Sequence, residues 1–328
     1  MPHMAITGIG GFIGLRMAQR AIERGWTVSG LEISATAADR AAETGARVVV
    51  GDINDKAKLA KAFAGADVVF HTAAVVAEDG PRELYERVNN QGTRSVCEAA
   101  LSQRVPRLVH LSSIMVYGFN YPDQVGENGP YADDGNIYNE TKLSSENIAL
   151  SFHQPDQLGV IVIRPGDVYG AGSVPWVLRP LELIRNGQML LPTVNRCTGV
   201  INHVHIDNLL DGIWLAMEHD AVGEAFNITD VVVTPTDQFF AHHARWLGQK
   251  TPRTIPAWLM YPALNLLASV ASLVGKTLPF QADGIKFLTR QNQISSAKAQ
   301  QQLGYQPKIS LAAGMQQVEQ QLRHNKTI

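Results

Sequence analysis

Cysteine is almost absent. The 328 residues hold two, Cys97 and Cys197, far apart and without metal-ligand or redox spacing. That excludes a disulfide framework and a cysteine-rich zinc site, and each thiol is expected to behave as a small apolar group. An excess of one charge is also lacking. Lys and Arg number 28 against 30 Asp and Glu, for a net charge of −2. With no basic run and no interleaving of basic and aromatic residues, nucleic acid is not an expected partner. There is no internal repeat and no low-complexity tract. The first residues, "MPHMAITGIGG", lack the charged start and long apolar stretch of a signal peptide, so a reducing cytoplasm is the expected location. What remains is an ordinary globular balance, 45% hydrophobic and 18% charged, in a chain long enough for a large core and two lobes.

The first half alternates short apolar runs with helical patterns. "HMAITG", "WTVSGLEI", "ARVVVGD", "ADVVFHTAA", "RLVHLSS" and "VIVIRPG" read as strands buried on both faces. Between them, Phe12–Gly25, "NDKAKLAKAF", "RELYERVNNQGTRSVCEAALSQ" and the segment around Tyr138 have helical spacing. Strand–helix alternation of this kind predicts an α/β fold, a doubly wound parallel sheet of Rossmann type, with a smaller and mostly helical C-terminal lobe for substrate. The expected division is a dinucleotide-binding domain over 1–172 and a discontinuous substrate lobe over 173–328. Residues 204–230, with the helix "VHIDNLLDGIWLAMEH" and the strand "EAFNIT", are expected to return to the first domain.

"TGIGGFIG" follows the first strand and opens a helix, with Gly8, Gly11 and Gly14 spaced three apart. Small residues there let backbone approach a pyrophosphate, and the helix start supplies free N–H groups and positive potential. Phe12 and Ile13 belong to the same turn. Glu32, at the end of the second strand, stands where an acid binds a ribose 2′-hydroxyl and repels a 2′-phosphate, which favours NAD over NADP. Asp52 and Ile53, after the third strand, are placed to meet the adenine.

"IYNETKLSSE" puts Tyr138 four residues before Lys142, on one face of a helix. A phenol ordinarily titrates at about pH 10 and is inert near neutrality. A cation beside it favours the phenolate and makes it a usable general acid or base. Taken alone, Y-x-x-x-K is a weak pattern.

"TGIGGFIG", "HTAA", "LSSIMVYG", "YNETK" and "RPGDVYG" occur in this order at fitting distances, and a late "AKAQQQLGYQP" follows. Together they resemble the extended short-chain dehydrogenase/reductase superfamily, the NAD-dependent epimerase/dehydratase family, over essentially the whole chain. The resemblance implies a catalytic set of Ser113, Tyr138 and Lys142. Tyr138 would exchange a proton with the substrate oxygen, Lys142 would lower its pKa and bind the nicotinamide ribose, and Ser113 would hydrogen-bond the substrate oxygen. Ser112, its neighbour, is expected to be structural. It further implies Ala73 and Ala74 along the pyrophosphate, Asn89 facing the cofactor cleft, His71 beside it without a catalytic part, and Pro165 with Gly166 near the nicotinamide carboxamide. Family members often dimerise through two long helices, here near 82–103 and 136–152, so a homodimer is expected.

Other residues narrow the reaction. Dehydratases of the family carry an Asp-Glu pair after the catalytic hydroxyl residue, whereas Ile114 and Met115 follow Ser113 here. Nucleotide-sugar enzymes need arginines for the substrate diphosphate. Ile201 occupies one such place, and Arg290 lies near the other, with Ser295 where an acid usually stands. "RPGDVYG" is closer to the hydroxysteroid dehydrogenase-like branch. The apolar stretch 256–275 is read as core helices, an apolar lid or a membrane-surface helix, in that order. His203 and His205 share a strand face without a third ligand, so no metal is expected. The expected activity is hydride transfer between NAD and an apolar secondary alcohol or ketone. The alternatives are a nucleotide-sugar epimerase and a non-catalytic, NAD-binding sensor.

Overall fold

The structure is a computed structural model that describes residues 1–76, 80–154, 156–264 and 282–328. Seven strands form one parallel sheet in the order β12-β6-β5-β4-β1-β2-β3. They are β1 (His3–Thr7), β2 (Thr27–Glu32), β3 (Arg47–Val50), β4 (Val68–His71), β5 (Arg107–Leu111), β6 (Gly159–Pro165) and β12 (Ala225–Ile228). The doubly wound sheet expected from the sequence is therefore present. Successive side chains of a strand point to opposite faces, and both faces are covered. Met4 and Ile6 of β1 pack with α1 (Phe12–Glu23) and α8 (Ile206–Glu218). Ala5 packs on the other side with α3 (Lys56–Phe63), α5 (Gly92–Ser102) and α6 (Ile137–Ser151). Cys97 is buried in that second core, as its expected apolar role requires; Cys197 is exposed instead.

Two local features go beyond the sequence reading. Between β2 and β3 lies α2 (Ala35–Ala42), capped by Ser34, whose side chain accepts from the Ala37 N–H. The long helix expected near 82–103 is continuous, α4 (Arg82–Tyr85) running into α5. It contains a π-helical turn at Glu86–Gln91 that no spacing of apolar residues signals. Such turns concentrate at functional sites.

Smaller sheets build the second lobe. Parallel β7 (Asp167–Tyr169) and β11 (His203–His205) pair directly after the end of β6. A second sheet joins β8 (Leu190–Val194), β9 (Cys197–Thr198) and β14 (Arg253–Pro256), and β10 (Val200–Ile201) pairs with β13 (Thr234–Pro235). Their apolar core gathers Trp176 from the turn Val174–Leu178, Leu181 from α7 (Arg179–Arg185), Phe239, Phe240 and Trp246 from α9 (Thr236–Trp246), and Met315 from the last helix, Leu311–His324. The late helix Ala297–Leu303 places Ala299 and Leu303 in the core around β12 and α8.

Of the apolar stretch 256–275, residues 257–264 are helical, with Trp258 and Leu259 exposed, and 265–275 lie outside the described residues. Among the described residues no helix is long and apolar enough to cross a membrane.

Candidate active site

Strand order reverses between β1 and β4, so the loops leaving these two strands diverge and open a crevice. The glycine turn leaves β1. Gly8 has a φ of +67°, which only glycine adopts without strain, and a Cβ there would stand 3.0 Å from the Ala73 Cα. A Cβ on Gly14 would stand 2.3 Å from the Gly8 carbonyl oxygen, so the start of α1 can fold back on the turn only with glycine there. No side chain caps α1 at Gly11, which leaves its first N–H groups to an anion. Phe12 lies against Gly170 and Gly172, and Ile13 packs on the core.

The Glu32 carboxylate accepts from the Gly10 N–H at 3.0 Å and the Ser34 N–H at 3.1 Å, while Arg40 of α2 donates to the Gly10 carbonyl at 2.6 Å. Glu32 is thus fixed beside the turn. Asp52 accepts from the Asn54 backbone at 2.9 Å and pairs with Arg87. The backbone hydrogen bond and the guanidinium hold its carboxyl below the usual range despite partial burial. Ile53 is buried against Gly92. Ala73 touches the glycine turn, and Ala74 follows it, partly buried. Asn89 sits in the π-helical turn, accepts from the Val75 N–H at 2.8 Å and donates to Thr141 of α6 at 3.0 Å. Pro165 pairs in register with Ile228, and the Gly166 N–H donates to the Ile228 carbonyl. A turn that only glycines permit, uncapped N–H groups and a carboxylate at the next strand end together fit a dinucleotide.

Ser113, Tyr138 and Lys142 converge at the ends of β5 and α6. Ser113 caps the short 3-10 helix Ile114–Tyr117 by accepting from the Met115 N–H, and its hydroxyl favours the Tyr138 phenolate. Asn136 caps α6, accepting from the N–H groups of Tyr138 and Asn139. The Lys142 ammonium donates to the Leu111 carbonyl at 2.6 Å. Burial pushes its pKa down to about 8, with Glu146 opposing. In this arrangement burial outweighs the lowering of the Tyr138 pKa expected from Lys142. Burial pushes the phenol up to about 12, and Asp167 adds to the rise, while the Ser113 hydroxyl works against both. The ammonium donates to the Leu111 carbonyl and keeps its charge below about pH 8, and the phenol stays protonated.

Two buried ion pairs flank this set, and neither was legible in the sequence. The Glu146 carboxylate receives Ser112 at 2.7 Å and the Arg164 Nε at 3.0 Å, and Arg164 also donates to Tyr117 at 2.8 Å. Ser112 is therefore structural, tying the end of β5 to α6. On the substrate side, Arg290 donates to Asp167 at 2.8 Å, and the Asn202 N–H shares the same carboxylate oxygen at 3.0 Å. The Arg290 guanidinium stacks over Phe287, 3.7 Å from the ring centre. Ile201 is buried in β10. A cavity of about 360 Å³ opens beside Arg290, with Phe119, Tyr121, Tyr261 and Lys286 in its wall; Ser113 and Tyr138 are not among its lining residues.

The histidines weighed as ligands are held by hydrogen bonds. His203 bonds Asp230 at 2.8 Å and Thr234 at 2.9 Å, and His205 caps α8. Among the described residues no group of three or more His, Cys, Asp or Glu is arranged to hold a metal.

Residues 4–229 match the model of the NAD dependent epimerase/dehydratase family. A 4-hydroxy-2-methyl-3-oxo-4-farnesyl-3,4-dihydroquinoline-1-oxide ketoreductase of Stigmatella aurantiaca is 26% identical over 96% of this chain and 95% of its own length. The decarboxylating sterol-4-alpha-carboxylate 3-dehydrogenase of Mus musculus is 26% identical over 97% and 90%. Among solved structures, a UDP-glucose 4-epimerase from Thermotoga maritima superposes with a TM-score of 0.80 at 22% identity, covering 99% of each chain, a likeness of fold. The match over most of the chain and the site geometry agree: this chain is a member of the NAD dependent epimerase/dehydratase family.

Proposed function

We propose that the protein is an NAD-dependent oxidoreductase that interconverts a secondary alcohol and a ketone on an apolar substrate. The observation that carries this reading is the Asp167–Arg290 pair. A nucleotide-sugar site needs a free arginine for the diphosphate, and here the candidate is buried and neutralised by an aspartate at 2.8 Å, while Ile201 fills the other place. Relatives that act on a farnesylated quinoline or a sterol carboxylate, by their names, support an apolar substrate.

Gly8, Gly11 and Gly14 with the start of α1 would hold the pyrophosphate, and Glu32 the adenosine ribose, which favours NAD over NADP. When bound, the nicotinamide supplies or accepts the hydride. Ser113 orients the substrate oxygen through its hydroxyl. Tyr138, held protonated, gives its proton to a ketone oxygen as carbon is reduced, and takes it back in the reverse direction. Lys142 holds the β5 end at Leu111 and keeps a positive charge behind the phenol below about pH 8. For assembly, the partly exposed Leu143 and Ile148 on the outer face of α6 support a homodimer, which sedimentation would test.

The function is tested by thermal shift with NAD, NADP and a uridine diphosphate sugar, since any ligand of the folded state stabilises it by mass action. Stabilisation by NAD above NADP, with nothing added by the diphosphate sugar, is the expected result. A clear further shift from the diphosphate sugar would displace the apolar substrate in favour of an epimerase.

A further inference from the structure

His71 ends β4 with its ring buried, and both ring nitrogens are engaged. Nδ1 lies 2.8 Å from the Thr7 hydroxyl at the end of β1, and Nε2 lies 2.9 Å from the Thr93 hydroxyl in α5. The direction of each bond follows from counting donors. The Thr93 hydroxyl gives its one proton to the Asn89 carbonyl at 2.6 Å, so it can only accept from His71. A neutral ring that donates from Nε2 accepts at Nδ1, so the Thr7 hydroxyl, which itself accepts from the Ala73 N–H at 3.4 Å, gives its proton to Nδ1. His71 must therefore carry its proton on Nε2. Burial, reinforced by the nearby Lys142 charge, pushes its pKa down to about 3, so the ring stays neutral.

The chain that results runs one way: Ala73 N–H to Thr7, Thr7 to His71, His71 to Thr93, and Thr93 to the carbonyl of Asn89. A separate bond ties Asn89 to the same segment, its side chain accepting from the Val75 N–H at 2.8 Å. Both ends therefore grip the segment 73–75, which lies against Gly8 at the switch point of the sheet. The same Asn89 reaches Thr141, next to Lys142 on α6.

We propose that His71 is a positioning residue for the dinucleotide. With its proton on Nε2, it completes a one-way hydrogen-bond chain from Ala73 to Asn89 that, with the Val75–Asn89 bond, fixes residues 73–75 against the glycine turn and holds the π-helical turn that presents Asn89. This role rests on the proposed binding of NAD. A phenylalanine at 71 leaves the Thr7 and Thr93 hydroxyls without their partner, whereas glutamine offers one donor and one acceptor in its place.

The experiment uses the full chain and compares wild type with His71→Phe, His71→Gln and Thr93→Val. NAD affinity is measured by titration calorimetry, and two readouts are taken without NAD: ¹⁵N NMR of the His71 ring and amide exchange at Ala73 and Val75. The expected result is a proton on Nε2 and faster exchange at both amides in His71→Phe. NAD affinity falls on the order of tenfold or more in His71→Phe and Thr93→Val. His71→Gln recovers most of the loss, and the double variant His71→Phe, Thr93→Val is no weaker than His71→Phe alone, because that arm is already broken. If His71→Phe fails to fold, Thr93→Val, which keeps the ring, carries the comparison. A proton on Nδ1, or variants that lose thermal stability with NAD affinity and amide exchange unchanged, would overturn the proposal. Failure of the wild type to bind NAD would instead remove the functional reading, and the NMR and exchange results would still decide the hydrogen-bond chain.

Discussion

The two walls of the cleft are held by different means. On the cofactor side the polar contacts are largely made with backbone: Glu32 receives the N–H groups of Gly10 and Ser34, and Asn89 receives the N–H of Val75. Around the catalytic set and on the substrate side charged side chains meet one another out of water, Glu146 with Arg164 and Asp167 with Arg290. Backbone contacts fix a shape and ask little of the neighbouring side chains. Buried ion pairs are more consequential, since an unpaired buried charge is far more costly than a lost hydrogen bond. The difference suits a molecule whose cofactor is fixed and whose substrate is a matter of which charges the wall leaves free.

The largest expected effect follows from breaking the substrate wall. Asp167→Ala strands a buried guanidinium, and urea unfolding should show a loss of about 3–5 kcal/mol. Replacing both partners with apolar residues, Asp167→Leu with Arg290→Met, should recover most of it. Of comparable size but confined to chemistry is Tyr138→Phe. Turnover should drop by roughly 10²- to 10⁴-fold in a steady-state assay, while NAD affinity stays near wild type. On the cofactor wall the comparable change is Gly8→Ala, which forces an L residue to a φ of +67° at a cost of about 1–3 kcal/mol. Here NAD affinity should weaken along with stability, unlike either substrate-side change.

The smallest effect is a gradual one with pH. The Lys142 pKa lies at about 8 in the folded protein against an ordinary 10.5, because burial disfavours the ammonium. The charge behind the phenol is therefore present below about pH 8 and lost above it, so turnover should fall as pH rises through that value. Lys142→Met should be slower at neutral pH and lack the fall. Stability runs the other way. As pH drops from 10.5 toward 8 the unfolded chain takes up this proton first, so the contribution of Lys142 declines across that window and is level below it.

The same contrast decides how much was legible in the sequence. Gly8, Gly14 and Glu32 act through local backbone geometry, and their spacing along strand, turn and helix is enough to place them. Ser113, Tyr138 and Lys142 could be picked out by their motifs, but the partner of the lysine could not, since Leu111 contributes only a carbonyl. Arg290 and Asp167 stand 123 residues apart, and no periodicity couples such positions. The π-helical turn leaves the apolar pattern of its helix nearly unchanged, and the direction of the bonds at His71 depends on four elements meeting in space.

The central claim is net hydride transfer with Tyr138 as proton donor and acceptor. It is tested most directly by supplying NAD with a panel of hydrophobic secondary alcohols, and reduced NAD with the matching ketones, and following nicotinamide absorbance for wild type and Tyr138→Phe. The expected result is a net change in absorbance with at least one apolar pair, abolished in Tyr138→Phe and unaffected by uridine diphosphate. Interconversion of a uridine diphosphate sugar with no net change in nicotinamide, or turnover that survives in Tyr138→Phe, would contradict it.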